Sequence, residues 1–211
     1  MMVLETDKSF KNVAGKPTCL ALFGGSFDPI HCAHLEVAHR ALEQTGADRV
    51  IFIPASRSPL KHRPIAQDAD RLRMLQLALD DEVKFELNTL EIEQNKISYT
   101  INTVDYFREL YEDTKLFWII GEDQFAHLDK WRRIDELVKK INFLVYPRLG
   151  NNRMFNTLIN GLCYQLLKAK TLSVSSTEIR ERCEKRLRLS GLVPESVEAY
   201  IYAQGLYGKE N

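Results

Sequence analysis

The chain alternates short, wholly apolar runs with longer stretches in which apolar and polar residues mix. Residues 19–23, Cys-Leu-Ala-Leu-Phe, are apolar without interruption and stop at Gly24 and Gly25. A run of that length, bounded by glycine, reads as a strand buried on both faces. Residues 50–53, 116–120 and 142–146 repeat the pattern, and residues 84–87 predict a shorter strand. Helical stretches lie between them. Residues 35–42 mix apolar positions with Glu36, His39 and Arg40. Residues 68–79 open on Asp68 as a cap and carry Leu72, Leu75, Leu77 and Leu79, and residues 100–111 form a third stretch. Beyond Asn151 the pattern predicts a helix over 155–168, then the segment 171–175, then two closing helices on either side of Pro194.

Strands alternating with helices imply an α/β protein, a parallel sheet with helices on both faces and a small C-terminal helical portion. In such sheets ligands bind beyond the carboxyl ends of the strands. Loops 24–34, 54–63, 121–131 and 146–150 all follow strands, so they are expected to gather on one rim. Residues 1–17 are polar and close with Gly15, Lys16 and Pro17, which predicts a loose leader. Residues 18–211 then make a single domain, with no internal repeat.

Composition narrows the function. Lysine plus arginine and aspartate plus glutamate both total 29. A balanced chain lacks the basic excess that nucleic-acid or acidic-membrane binding needs. No run approaches the roughly 20 apolar residues of a membrane span. The N-terminus lacks the apolar core of a secretory signal. Cys19, Cys32, Cys163 and Cys183 are scattered without a C-x-x-C pair, which suits reduced thiols in a cytoplasmic protein.

The densest chemistry is Gly24-Gly25-Ser26-Phe27-Asp28-Pro29-Ile30-His31-Cys32-Ala33-His34. Two glycines at the end of a strand let the backbone turn and approach a ligand. Backbone N–H groups there, and at the start of the next helix, suit phosphate oxygens. His31 and His34 are three apart and can share one face of the first helical turn. Taken alone, such a pair describes a solvated helix face or two metal ligands. Behind a glycine turn, phosphate contact is the better reading. A dinucleotide fingerprint is excluded, because the third glycine and the ribose-binding acid of G-x-G-x-x-G are missing.

A second cluster, Ser175-Ser176-Thr177-Glu178-Ile179-Arg180, can cap a helix and expose its first amides, with Arg180 in the first turns. A guanidinium fork matches phosphate oxygens. Alone, the same residues describe an ordinary capped helix with a surface arginine.

Together the two clusters resemble the nucleotidyltransferase superfamily marked by H-x-G-H and S-S-T-x-I-R, and within it the bacterial nicotinate-nucleotide adenylyltransferases. The resemblance runs from Leu20 to Tyr207 and includes Ile97-Ser98-Tyr99-Thr100, Gly121-Glu122-Asp123 and Trp131. It departs at Ala33, where the family has glycine, and at Leu60, where the family loop has histidine, with His62 next door. Arg148-Leu149-Gly150 replaces the family's R-P-G. The resemblance implies a Rossmann-like fold and adenylyl transfer from ATP, accompanied by Mg²⁺, to nicotinate mononucleotide. It implies His31, His34 and Arg180 as catalytic groups. ATP would lie on Gly24, Gly25, Ser26, Phe27, His31, His34, Ser176, Thr177 and Arg180, with Gly121 and Asp123 at the adenosine ribose. Lys61, Tyr99, Thr100, Trp131 and Arg148 would hold the mononucleotide. No acidic cage for a resident metal is visible, so Mg²⁺ would come with the triphosphate. Nicotinamide mononucleotide or phosphopantetheine as acceptor, and a non-catalytic nucleotide sensor, are the alternatives.

Overall fold

The computed structural model describes residues 16–59, 63–147, 159–168 and 174–208. Six strands are seen among them: β1 (Cys19–Gly25), β2 (Arg49–Pro54), β3 (Phe85–Leu87), β4 (Lys115–Gly121), β5 (Asn142–Tyr146) and β6 (Tyr164–Leu166). They form one sheet in the order β3-β2-β1-β4-β5-β6, and every neighbouring pair is parallel. The helices are α1 (Cys32–Thr45), α2 (Asp68–Leu79), α3 (Leu90–Gln94), α4 (Thr100–Leu110), α5 (Glu122–Phe125), α6 (Ile134–Leu137), α7 (Ser176–Glu184) and α8 (Glu195–Ala203). A single 3-10 turn, Leu128–Lys130, links α5 to α6. No helix among the described residues is long and apolar enough to cross a membrane.

The unbroken apolar runs are explained by two cores, one on each face of the sheet. Strand side chains alternate between faces. Ala21, Phe23, Val50, Phe52 and Ile119 pack with Val37, Met74, Ile179 and Val197, which brings α1, α2, α7 and α8 to one face. Leu20, Leu22, Ile51, Ile53, Trp118 and Ile120 pack with Ile101, Val104, Phe107 and Leu137 from α4 and α6 on the other. A strand that feeds two cores has no position left for a polar side chain. The C-terminal helices belong to the first core, and Tyr200 of α8 donates to Asp70 Oδ1 of α2 at 2.9 Å.

Three sequence expectations need correction. The helix over 155–168 is not found where the chain is described. Gly161 sits at φ 79°, in the left-handed region that ends helices, and Tyr164–Leu166 adds an edge strand beside β5. Residues 155–158 lie outside the described set. Asp68 does not cap α2. Gln67 occupies the cap position, and Asp68 in the first turn pairs with Arg71 at 2.6 Å. Arg71 is itself fully buried, and its Nη1 donates to the Ser26 carbonyl at 2.6 Å, so α2 braces the turn after β1.

The third correction concerns the glycines. Gly24 and Gly25 are the last residues of β1, in register with Ile53 and Pro54, and neither has a positive φ. Glycine is needed there for space. A Cβ on Gly24 would stand 2.4 Å from Cζ2 of Trp118, and one on Gly25 would stand 2.9 Å from the Phe27 ring. We therefore expect Gly24→Ala to lower stability by about 1–3 kcal/mol, the usual cost of overfilling a packed core. Thermal unfolding measures this. An unchanged Tm would mean that Trp118 can step aside.

Candidate active site

The turn that leaves β1 is held from several sides. Asp28 is 5% exposed, and its carboxylate accepts from the amides of Ile65 at 2.7 Å and Ala66 at 3.1 Å and from the Tyr207 hydroxyl at 2.7 Å. The Asp28 carbonyl accepts from Arg180 Nη1 at 2.7 Å, and the Pro29 carbonyl accepts from the Ser176 hydroxyl at 3.0 Å. The start of α7 therefore stands against the start of α1. This is where the two sequence clusters meet, across about 150 residues of chain.

His31 takes the N-cap position of α1 with extended backbone, and its amide donates to His34 Nδ1 at 3.3 Å. The two rings stack with centroids 3.6 Å apart and planes 21° apart. His34 also meets Phe27 and Phe23 edge-on, at 5.0 and 5.8 Å. The expected shared face for the histidines is present, with aromatic rings behind it. Part of the expected amide supply is not available, because the first amide of α1, that of Cys32, donates to the Leu192 carbonyl at 2.9 Å. At α7 the Ser175 hydroxyl accepts from the Glu178 amide at 3.1 Å, which is the cap the sequence indicates. Arg180 Nη2 donates to the Thr177 hydroxyl at 3.2 Å.

Beside this turn the carboxyl rim opens into a cavity of about 330 Å³. Gly24, Gly25, Ser26, Tyr99, Thr100, Gly121, Asp123 and Trp131 all line it, so eight of the expected ligand residues face one space. Phe27, His31, His34, Ser176, Thr177 and Arg180 do not line it. They flank it on the α1 and α7 side, joined to it through Phe23, which is both a cavity wall and a ring partner of His34. Lys61 and Arg148, with the neighbouring Leu60, His62, Leu149 and Gly150, lie outside the described residues. Gly121 is another glycine required for space: a Cβ there would stand 2.6 Å from Asp123 Oδ1 and 3.1 Å from the Tyr146 ring. Trp131 both lines the cavity and packs in the second core, its ring centroid 6.3 Å from that of Phe143. Its Nε1 is buried, with no hydrogen-bond partner among the described residues.

Several cavity residues stand outside the expected ligand set. Lys130 and Arg132 line it, and the Arg132 guanidinium lies 4.6 Å from the Tyr99 ring centre, a cation–π contact. Glu91 lines it as well, although it is 7% exposed. Burial pushes its carboxyl pKa up, and hydrogen bonds from the Thr103 and Ser98 hydroxyls oppose that shift. Ser98 Oγ in turn accepts from the Ser56 amide at 3.2 Å, which ties the segment before α4 to the loop after β2. Trp118 and Tyr146 complete the aromatic wall. The linear signals for these were the flanking position of Lys130 and Arg132 beside Trp131 and the place of Ser98 beside Tyr99 and Thr100.

The profile of the cytidylyltransferase-like family matches residues 22–182. A protein of Methylacidiphilum infernorum named "Probable nicotinate-nucleotide adenylyltransferase" is 41% identical over 189 residues, covering 89% of this chain and 91% of its own length. A Hydrogenobaculum protein of the same name is 38% identical over 190 residues, covering 90% of this chain and 98% of its own. Among solved structures, the nicotinic acid mononucleotide adenylyltransferase of Plasmodium falciparum, in complex with NaAD, superposes with a TM-score of 0.76. The match covers 90% of this chain and 97% of that one at 20% identity, a likeness of fold. By its sequence matches, the chain belongs to the nicotinate-nucleotide adenylyltransferases of the cytidylyltransferase-like family.

Proposed function

We propose that the chain transfers the AMP unit of ATP to nicotinate mononucleotide, forming nicotinate adenine dinucleotide and pyrophosphate, a step of NAD biosynthesis. The observation that carries this reading is the meeting of two surfaces on one rim. The β1–α1 turn, with its stacked histidines and Arg180, adjoins a cavity walled by Tyr99, Trp118 and Trp131 and flanked by Lys130 and Arg132. The first suits a triphosphate; of the second, the side with Gly121 and Asp123 suits an adenosine ribose and the side with Tyr99 and Trp131 suits a charged, flat ring.

The 5′-phosphate of the acceptor is already ionised at neutral pH. One of its oxygens attacks the α-phosphorus of ATP, the bond from that phosphorus to the β-phosphate oxygen breaks, and pyrophosphate leaves with the electron pair. No proton has to be removed, so rate comes from alignment and from donors aimed at the charge on the phosphates. His31 and His34 take the ATP phosphates, with His34 nearest the reacting centre. Arg180 takes the β- and γ-phosphates together with the Ser176 and Thr177 amides. Gly24, Gly25, Ser26 and Phe27 form the floor under the nucleotide, and Gly121 and Asp123 hold the adenosine ribose. Trp131 stacks on the pyridine ring beside Tyr99 and Thr100, while Lys61 and Arg148 take the mononucleotide phosphate. Mg²⁺ enters as part of the ATP substrate, bound by phosphate oxygens and water. Asp28, the acid of the turn, already has its carboxylate occupied by two amides and a phenol.

Three outcomes test these roles. His34→Ala should keep its fold and lose about 10²–10³ in turnover, the usual effect of removing one preorganised donor. Steady-state assay of pyrophosphate release measures it, and near-normal turnover in a folded variant would remove His34 from the reacting centre. Arg180→Lys keeps the charge but loses the planar fork, so ATP use and the reverse reaction with pyrophosphate should both weaken. A lysine variant equal to wild type in both directions would make Arg180 a surface residue. Lastly, kcat/KM should favour nicotinate over nicotinamide mononucleotide at equal ATP and Mg²⁺. Lys130 and Arg132 favour a carboxylate, and backbone donors near Thr100 would leave an amide's N–H groups unpaired. Such a mismatch can reach roughly 10⁴-fold. Equal values, or an amide preference, would leave general adenylyl transfer as the activity.

A further inference from the structure

Tyr207 lies well beyond residues 22–182, the part of the chain that the family profile matches. It nevertheless reaches into the turn after β1. The residue is 8% exposed, and its hydroxyl donates to Asp28 Oδ1 at 2.7 Å. Its backbone stands at φ 61°, a left-handed conformation that a non-glycine residue adopts only at a cost. A side chain held buried, in strained backbone, on a buried carboxylate is over-determined by its surroundings. Burial first, and then the charge of Asp28, push the phenol's pKa up, so it remains a donor.

Asp28 is where several demands meet. Oδ1 accepts from Tyr207 and the Ala66 amide, and Oδ2 accepts from the Ile65 amide. Arg180 Nη1 lies 3.9 Å from Oδ2 but donates to the Asp28 carbonyl at 2.7 Å. The guanidinium is therefore held in a loose ion pair with the carboxylate, its short hydrogen bond going to the carbonyl instead. We propose that Tyr207 is a positioning residue for the triphosphate side of the site: by satisfying Asp28, it keeps Arg180 from closing on the carboxylate and leaves it available to phosphate. A buried carboxylate that loses a donor draws on the nearest mobile one. Here that donor is Arg180, which is 22% exposed and one short swing away. The inference rests on the assignment of Arg180 to the ATP phosphates.

The test is Tyr207→Phe in the full chain, which keeps the ring and removes only the hydroxyl. KM for ATP should rise about tenfold or more, with a parallel loss in the reverse reaction with pyrophosphate, while KM for nicotinate mononucleotide stays unchanged. In an Arg180→Lys background the same change should add little, because its effect runs through the guanidinium. Leu206→Ala is the control: it loosens the same C-terminal turn by lost packing and should lower Tm without moving KM for ATP. Wild-type kinetics in Tyr207→Phe, equal changes in both KM values, full additivity with Arg180→Lys, or a variant that does not fold would each overturn the proposal and leave the phenol a structural contact. Failure of the underlying assignment is separately visible, since Arg180→Lys alone would then behave as wild type.

Discussion

The arrangement of ligand surfaces follows from one topological constraint: β1 is an interior strand whose two neighbours are reached in opposite directions. The chain first winds outward through β2 and β3, then crosses back over β1 to build β4, β5 and β6. With crossovers of the usual hand, this puts α1 and α2 on one face and α4 on the other. The loops leaving β1 and β4 must then diverge at their carboxyl ends, and the crevice between them is the natural ligand site of a doubly wound sheet. Gly24 to Ser26 supply one wall, and Gly121 and Asp123 supply the wall opposite. Because both strands are packed on two faces, the crevice floor is rigid. Gly24 against Trp118, and Gly121 against Asp123 and Tyr146, show how little room the packing leaves.

Within that crevice the division of labour is chemical. The α1 and α7 side offers imidazole, guanidinium and helix starts, all suited to phosphate. The cavity offers flat aromatic surfaces, the cations Lys130 and Arg132, and two carboxyl groups, those of Asp123 and of the buried Glu91. Glu91 is tied to Ser98 and Thr103, and Ser98 to Ser56, so the wall that includes Tyr99 and Thr100 is anchored to the loop after β2. The two halves share Phe23, whose ring lines the cavity and backs His34. One aromatic residue thus joins the cavity to the stacked histidines.

The strands with two buried faces were legible in the sequence because they leave long apolar runs, and the glycines and histidines were legible because they are contiguous. β6 was missed because all three of its residues are exposed at the sheet edge, so it leaves no such run, and an adjacent helical pattern absorbed it. The four- and five-residue helices α3, α5 and α6 are too short to show a period. For the glycines, local sequence suggests a turn that approaches a ligand; the structure adds a need for absence of bulk, at Gly24 against Trp118 from a distant strand and at Gly25 against the neighbouring Phe27. Glu91 and Tyr207 were missed for a different reason. Each is an ordinary residue in its own segment, and its place in the site is set by elements distant in the chain.

The bonds from Ser176 to Pro29 and from Arg180 to Asp28 close loops of 147 and 152 residues. By contrast, among the described residues the lining of the cavity runs from Phe23 to Tyr146. On an emerging chain, these cavity residues are therefore made before the segment that brings Arg180 and Tyr207 to the β1–α1 turn. At usual elongation rates the interval between Tyr146 and Tyr207 lasts roughly 3–12 seconds. During that interval the nascent protein carries half of a ligand surface, and the β1–α1 turn waits for its Arg180 and Tyr207 contacts. The two clusters around the β1–α1 turn are thus joined only after the cavity residues have been made.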